Sequence, residues 1–243
     1  MDGLVRCSRY AFGPNRLHYC GPDANREILG YINENNGDFG LKTLLQQFNT
    51  MYPYLFQIAK SNGIKNPFDD KVVEAYWLGN RLLDNVSKKE FYNNLVDNHK
   101  LKQKINAKSF SAISDLIAQG ALPHHSFHVF AIWKRTGNLT IPHTIETMDA
   151  CRISYGQVIL VDGPFLIVKT RPLILREGKL ALGLSINKKI ARSLDARDDI
   201  GEIKSGDNVS MHWNVPCEVI TQTQSERLKK YTIASISFAN QII

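Results

Sequence analysis

The chain has 243 residues, 43% of them hydrophobic and 22% charged, with 16 Gly and 9 Pro, which fits a folded protein of one large or two small domains and excludes a disordered or collagen-like chain. Its net charge of +7 divides into +3 for residues 1–150 and +4 for 151–243, so neither half is a basic arm and nucleic-acid binding is not indicated. No run approaches the roughly 18 apolar residues of a membrane span, and Asp2, Arg6 and Arg9 fall where a secretory signal would be apolar, so a cytoplasmic protein without membrane attachment is the expectation.

Helical periodicity starts near Asp23, the expected N-cap of a helix with Ile28, Leu29 and Ile32 on one face and Asn35-Asn36-Gly37 as its stop. A second amphipathic run closes at Asn62-Gly63, and Pro53 must kink it or split it in two. A third run follows Asn66-Pro67-Phe68-Asp69. A fourth opens at Ser87 and Glu90, which have the spacing of a capping box. After Met148 the texture changes to short β-branched and aliphatic segments separated by Asp162-Gly163, Glu177-Gly178 and Ser205-Gly206-Asp207. A last segment starts as a helix at Gln222 and takes on strand character after Tyr231. The reading is α+β: a mostly helical domain over 1–149, then a small antiparallel β-barrel of OB-like type over 150–243 with a C-terminal helix or strand.

Cysteines stand at 7, 20, 151 and 217 with no C-x-x-C spacing, so a zinc knuckle is not indicated and each is judged singly. Cys151-Arg152-Ile153-Ser154-Tyr155-Gly156-Gln157-Val158 leads straight into a strand, and Ser205-Gly206-Asp207-Asn208-Val209 runs on to His212. Together with the later Ser225–Thr232 segment, these pieces resemble, in order and spacing, the HypC/HupF hydrogenase-assembly chaperones. In this sequence the cysteine is internal, Tyr155 stands where that family has proline, and a long insertion-like stretch from Arg171 to Glu202 separates the two strands. The resemblance implies that Cys151 is a thiolate ligand for an iron fragment carrying cyanide and carbonyl, with His212 beside it. It implies as partner the large subunit of nickel-iron hydrogenase or a maturation scaffold protein. Soft thiolate suits such iron, and imidazole can orient it. Cys217, after Pro216, is read as structural.

Tyr19-Cys20-Gly21-Pro22-Asp23 places a cysteine just ahead of a helix start, where the helix dipole favours a thiolate, with Arg16 and His18 close in sequence. With Glu74–Asn80 and Pro123–Phe130, this signature makes the whole chain resemble an uncharacterised bacterial family, to which no activity attaches. In Pro123-His124-His125-Ser126-Phe127-His128 a helix would put His124 and His128 on one face, whereas a strand would align His124, Ser126 and His128. No Gly-rich phosphate loop, G-x-S-x-G elbow or H-E-x-x-H pattern is present.

The leading expectation is therefore an accessory protein that presents Cys151 in hydrogenase assembly and turns over no substrate. A second is a cysteine-dependent enzyme with Cys20 as nucleophile and His18, His124, His125 or His128 as base in an interdomain site. A third is an OB-like RNA binder using Phe165 and Trp213.

Overall fold

A computed structural model describes residues 2–133, 142–192 and 203–243. Its first element is a helix that the sequence pattern does not announce. Helix α1 (Gly3–Asn15) is capped by Asp2, whose carboxylate accepts from the Leu4 and Val5 N–H groups, and it is buried on nearly every side, including at Arg6, Ser8 and Asn15. Without a polar stripe it has no amphipathic signature to read.

The next four helices pack around it: α2 (Asn25–Glu34), α3 (Phe39–Gln46), α4 (Met51–Ser61) and α5 (Asp70–Trp77). Ala24, not Asp23, occupies the N-cap of α2, and the Asp23 carboxylate lies 3.2 Å from His18 Nδ1. The second amphipathic run is split in two, with Pro53 in the first turn of α4, where a missing N–H costs nothing. Asp69 caps α5, and a 3₁₀ turn (Arg81–Asn85) precedes α6 (Lys88–Asp97). The Ser87–Glu90 capping box of α6 is formed. The short α7 (Leu101–Lys104) and α8 (Ala107–Ala118) lead to α9 (His125–Phe127), which continues as a π-helical turn (His128–Trp133). Helix α10 (Ile145–Cys151) delivers the chain to the sheet.

Five antiparallel strands follow in the order β5-β2-β1-β6-β7: β1 (Ser154–Asp162), β2 (Phe165–Thr170), β5 (Ile186–Ala191), β6 (Asn208–His212) and β7 (Val215–Ile220). A separate hairpin, β3 (Leu173–Arg176) and β4 (Lys179–Leu182), with β5, makes up most of the insertion-like stretch; residues 193–202 of that stretch lie outside the described residues. Edge strands β5 and β7 approach each other without forming a ladder, so among the described residues the sheet is open. Gly156 sits where β1 and β2 press together: a Cβ there would meet the Lys169 carbonyl oxygen and Val168 Cγ1 at 2.5 Å.

Helix α11 (Gln222–Ala239) runs through the segment expected to become a strand. Leu228, Tyr231, Thr232, Ser235, Ile236 and Ala239 are buried at three- and four-residue spacing, and that stripe outweighs the local β-preference of Thr232 and Ile233. Residue 149 falls inside α10. Cys217 and Ile220 of β7 and Leu228 and Tyr231 of α11 share one buried cluster with α1, α4 and α5. No described helix is long and apolar enough to cross a membrane.

A buried ionic knot joins the helical and β parts. Arg6 donates to Glu218 of β7 (Nη2 to Oε1, 2.9 Å) and pairs with Asp70 at 3.1 Å and Glu74 at 3.3 Å. Tyr10 donates its hydroxyl proton to the same Glu218 oxygen at 2.6 Å. Arg6 and Glu218 are 3% and 4% exposed, so removing Arg6 strands the Glu218 charge in low dielectric. Arg6→Ala is expected to cost about 3–5 kcal/mol in urea unfolding, and the double variant Arg6→Met/Glu218→Leu to cost clearly less. Equal losses in the two proteins would contradict the assignment.

Candidate functional site

A partly open cavity of about 440 Å³ lies between the helical and β parts. It gathers Cys20, Cys151, His99, His125, His128 and His212 around aromatic walls that include Trp77, Trp133 and Trp213. Three ligand-type atoms, one each from His125, Cys151 and His212, lie within 4.8 Å of one another.

Each member is placed by a local rule. Cys151 is the last residue of α10, where carbonyls lack intrahelical partners. The Trp213 N–H takes the Ala150 carbonyl at 2.7 Å, and His125 Nε2–H takes the Cys151 carbonyl at 2.8 Å. Since a carbonyl only accepts, Nε2 of His125 carries the proton, and Nδ1 accepts from the Tyr76 hydroxyl at 3.1 Å. His212 is held from the opposite side by α1, its Nδ1–H donating to the Tyr10 carbonyl at 2.6 Å. Helix and strand can come this close because residue 13 is glycine; a Cβ there would sit 2.7 Å from the His212 carbonyl oxygen.

These hydrogen bonds fix the tautomer of His212. Burial lowers its pKa to about 4, with the Tyr10 and Cys151 backbone groups opposing the effect, so the ring is neutral near pH 7; with the proton on Nδ1, Nε2 is a buried lone pair that makes no hydrogen bond of good geometry. A buried lone pair beside a thiol is a ready position for a soft cation. Burial pushes the Cys151 thiol well up, with nearby Cys20 adding to the effect and the Trp213 indole N–H opposing it. The carboxyl end of α10 gives no help to a thiolate either. Trp213 and Asn214, both at positive φ (52° and 62°), form the two-residue turn between β6 and β7. That turn ordinarily selects Asn or Gly, so a Trp there accepts backbone strain to hold its indole over the cavity.

The remaining sequence candidates divide. Cys20 lines the cavity, its loop pinned by Asn15, whose amide donates to the Cys20 and Pro22 carbonyls at 2.8 and 2.7 Å. Its thiol pKa is raised by burial to about 11, the opposite of the depression a helix start would give. His18 is exposed, paired with Asp23 and not part of the cavity wall. His124 also lies elsewhere: its Nδ1 accepts from the Ser126 N–H at 3.1 Å and its ring stacks on Tyr231 at 5.2 Å. The segment is helical, yet the pair facing the cavity is His125 and His128, three apart, because His124 serves as N-cap and the helix then widens into a π turn. His128 bonds the Tyr54 hydroxyl at 3.0 Å. Of the aromatics considered for RNA stacking, Trp213 is buried in the cavity, whereas Phe165 is exposed with Lys189 Nζ 4.0 Å from its centroid. Cys217 is fully buried, as a structural residue should be.

A family model described as "Family of unknown function (DUF6390)" matches residues 1–243. The chain belongs to that family. No curated protein and no solved structure matches it.

The buried imidazoles make stability depend on pH. Burial holds His99 and His212 at about 4 and His124 at about 3, against 6.5 for a free imidazole. Between those values the unfolded chain binds protons that the folded chain refuses, so stability is full above about pH 6.5 and falls on acidification toward pH 4. Each such group contributes a slope of about 1.4 kcal/mol per pH unit. Urea unfolding followed from neutral to mildly acidic pH should show the decline; a flat profile would contradict it.

Proposed function

We propose that this protein carries a soft metal cargo, ligated by Cys151 Sγ and His212 Nε2, and hands it to another protein rather than turning over a substrate. The observation that carries the reading is the cluster of two imidazoles and one thiol, with ligand atoms within 4.8 Å of one another and no hydrogen bond of good geometry to His212 Nε2, on the wall of the cavity. An incoming dication would displace the proton of the Cys151 thiol, and the thiolate so formed, with the neutral His212 imidazole beside it, would offset part of the metal's charge. His125 keeps the Cys151 backbone in place and becomes a third ligand if its bond to Tyr76 is exchanged for the metal.

The HypC/HupF resemblance makes the reading more specific. It names the cargo as an iron fragment bearing cyanide and carbonyl, and the recipient as the hydrogenase large subunit or a maturation scaffold. The two motifs that carry the resemblance pair with each other: Ser154 faces Met211 and Gly156 faces Val209 across β1 and β6, which brings Cys151 and His212 to one wall. An OB-like barrel belongs to the same reading, with closure of the sheet beyond the ladders described above.

A thiol enzyme built on Cys20 is less well supported. Its thiol is held protonated by burial, and among the described residues no imidazolium or helix start stands by to activate it.

Cobalt(II) added to the purified chain should give an intense near-ultraviolet thiolate-to-metal band. Cys151→Ser should abolish it, and His212→Ala should weaken binding about 10- to 100-fold. A band unaffected by Cys151→Ser would overturn the assignment. Coexpression with hydrogenase maturation proteins and infrared spectroscopy in the cyanide and carbonyl region tests the cargo: bands are expected in the native protein and should vanish in Cys151→Ser.

A further inference from the structure

The cavity is far larger than a metal ion requires. At about 440 Å³ it falls in the range of small-molecule sites, whereas a water molecule takes about 30 Å³. Besides Cys151 and His212, a second group of polar side chains lines it: His99, His128 and Lys104. The two rings lie 6.0 Å apart between centroids, and His99 packs against Tyr54 at 4.4 Å. His99 is 6% exposed, and its Nε2 is buried without a hydrogen-bond partner. Lys104 sits at the end of α7, exposed on its outer side, close enough to both rings to lower their proton affinity. Among the described residues no Asp or Glu lines the cavity and no carboxylate pairs with Lys104.

An ammonium beside two neutral imidazoles, with no acid in the wall, is an arrangement for an anion. We infer that the cavity binds a small organic carboxylate, its anionic group held by Lys104, His99 and His128 and its apolar body packed against Phe48 and Trp133. The carboxylate would accept from Lys104 Nζ and from the imidazole N–H groups, while the ring walls exclude water. This site shares the cavity with the metal reading but none of its ligands, so the two can fail separately.

Benzoate, with benzamide as its uncharged isostere, is the probe. Histidine ring resonances of the full-length chain, without added metal, should shift saturably with benzoate at His99 and His128, with benzamide binding about tenfold or more weakly. Lys104→Gln, a change at an exposed position, should weaken benzoate about tenfold and leave benzamide unchanged. Cys151→Ser should leave benzoate binding intact. Equal affinity for the two probes, failure to saturate, or indifference to Lys104→Gln would overturn the proposal.

Discussion

Everything in this fold turns on burying a helix that carries charge. Helix α1 is enclosed on nearly all sides, and its Arg6 survives there only because Glu218, Asp70 and Glu74 converge on it. Such a knot adds little net stability over a hydrophobic equivalent. Its effect is positional: guanidinium geometry and the Tyr10–Glu218 bond lock α1 against β7 in one register. That register sets the Tyr10 carbonyl under His212, and Gly13 lets the strand come close enough to be held. The tautomer of the proposed ligand thus follows from an ion pair one turn earlier on the same face of that helix.

The wall opposite is built from helix-end bookkeeping. The carbonyls at the end of α10 need donors, and His125 and the backbone of Trp213 supply them. The groups that terminate the helix therefore surround the cysteine on which it ends. Low dielectric keeps the thiols and imidazoles uncharged, so among the described residues the resting cavity carries no charge except what Lys104 brings to its mouth. A cation at one pole and an anion at the other would each find complementary donors.

Much of this could be read from the sequence, and the limits have physical causes. The Ser87–Glu90 box, the split at Pro53 and the change of texture after Met148 were legible because they depend on short-range chemistry. The closeness of Cys151 and His212 was legible through two motifs that turn out to be neighbouring strands. Helix α1 was not, since a helix buried all round has no periodic stripe. Nor was the choice of His125 over His124, which depends on a cap and a π turn. Trp213 left one trace, a bulky residue just before Asn214 at a hairpin turn, but its indole could be placed only in three dimensions. The expected activation of Cys20 failed because proximity to a helix start in sequence says nothing about burial.

The central claim is that Cys151 and His212 hold a metal together. X-ray absorption of the zinc-loaded, full-length protein addresses it most directly. The account predicts one sulfur at about 2.3 Å and nitrogen or oxygen neighbours at about 2.0–2.1 Å, with the sulfur lost in Cys151→Ser. A first shell of nitrogen and oxygen alone in the native protein would contradict it.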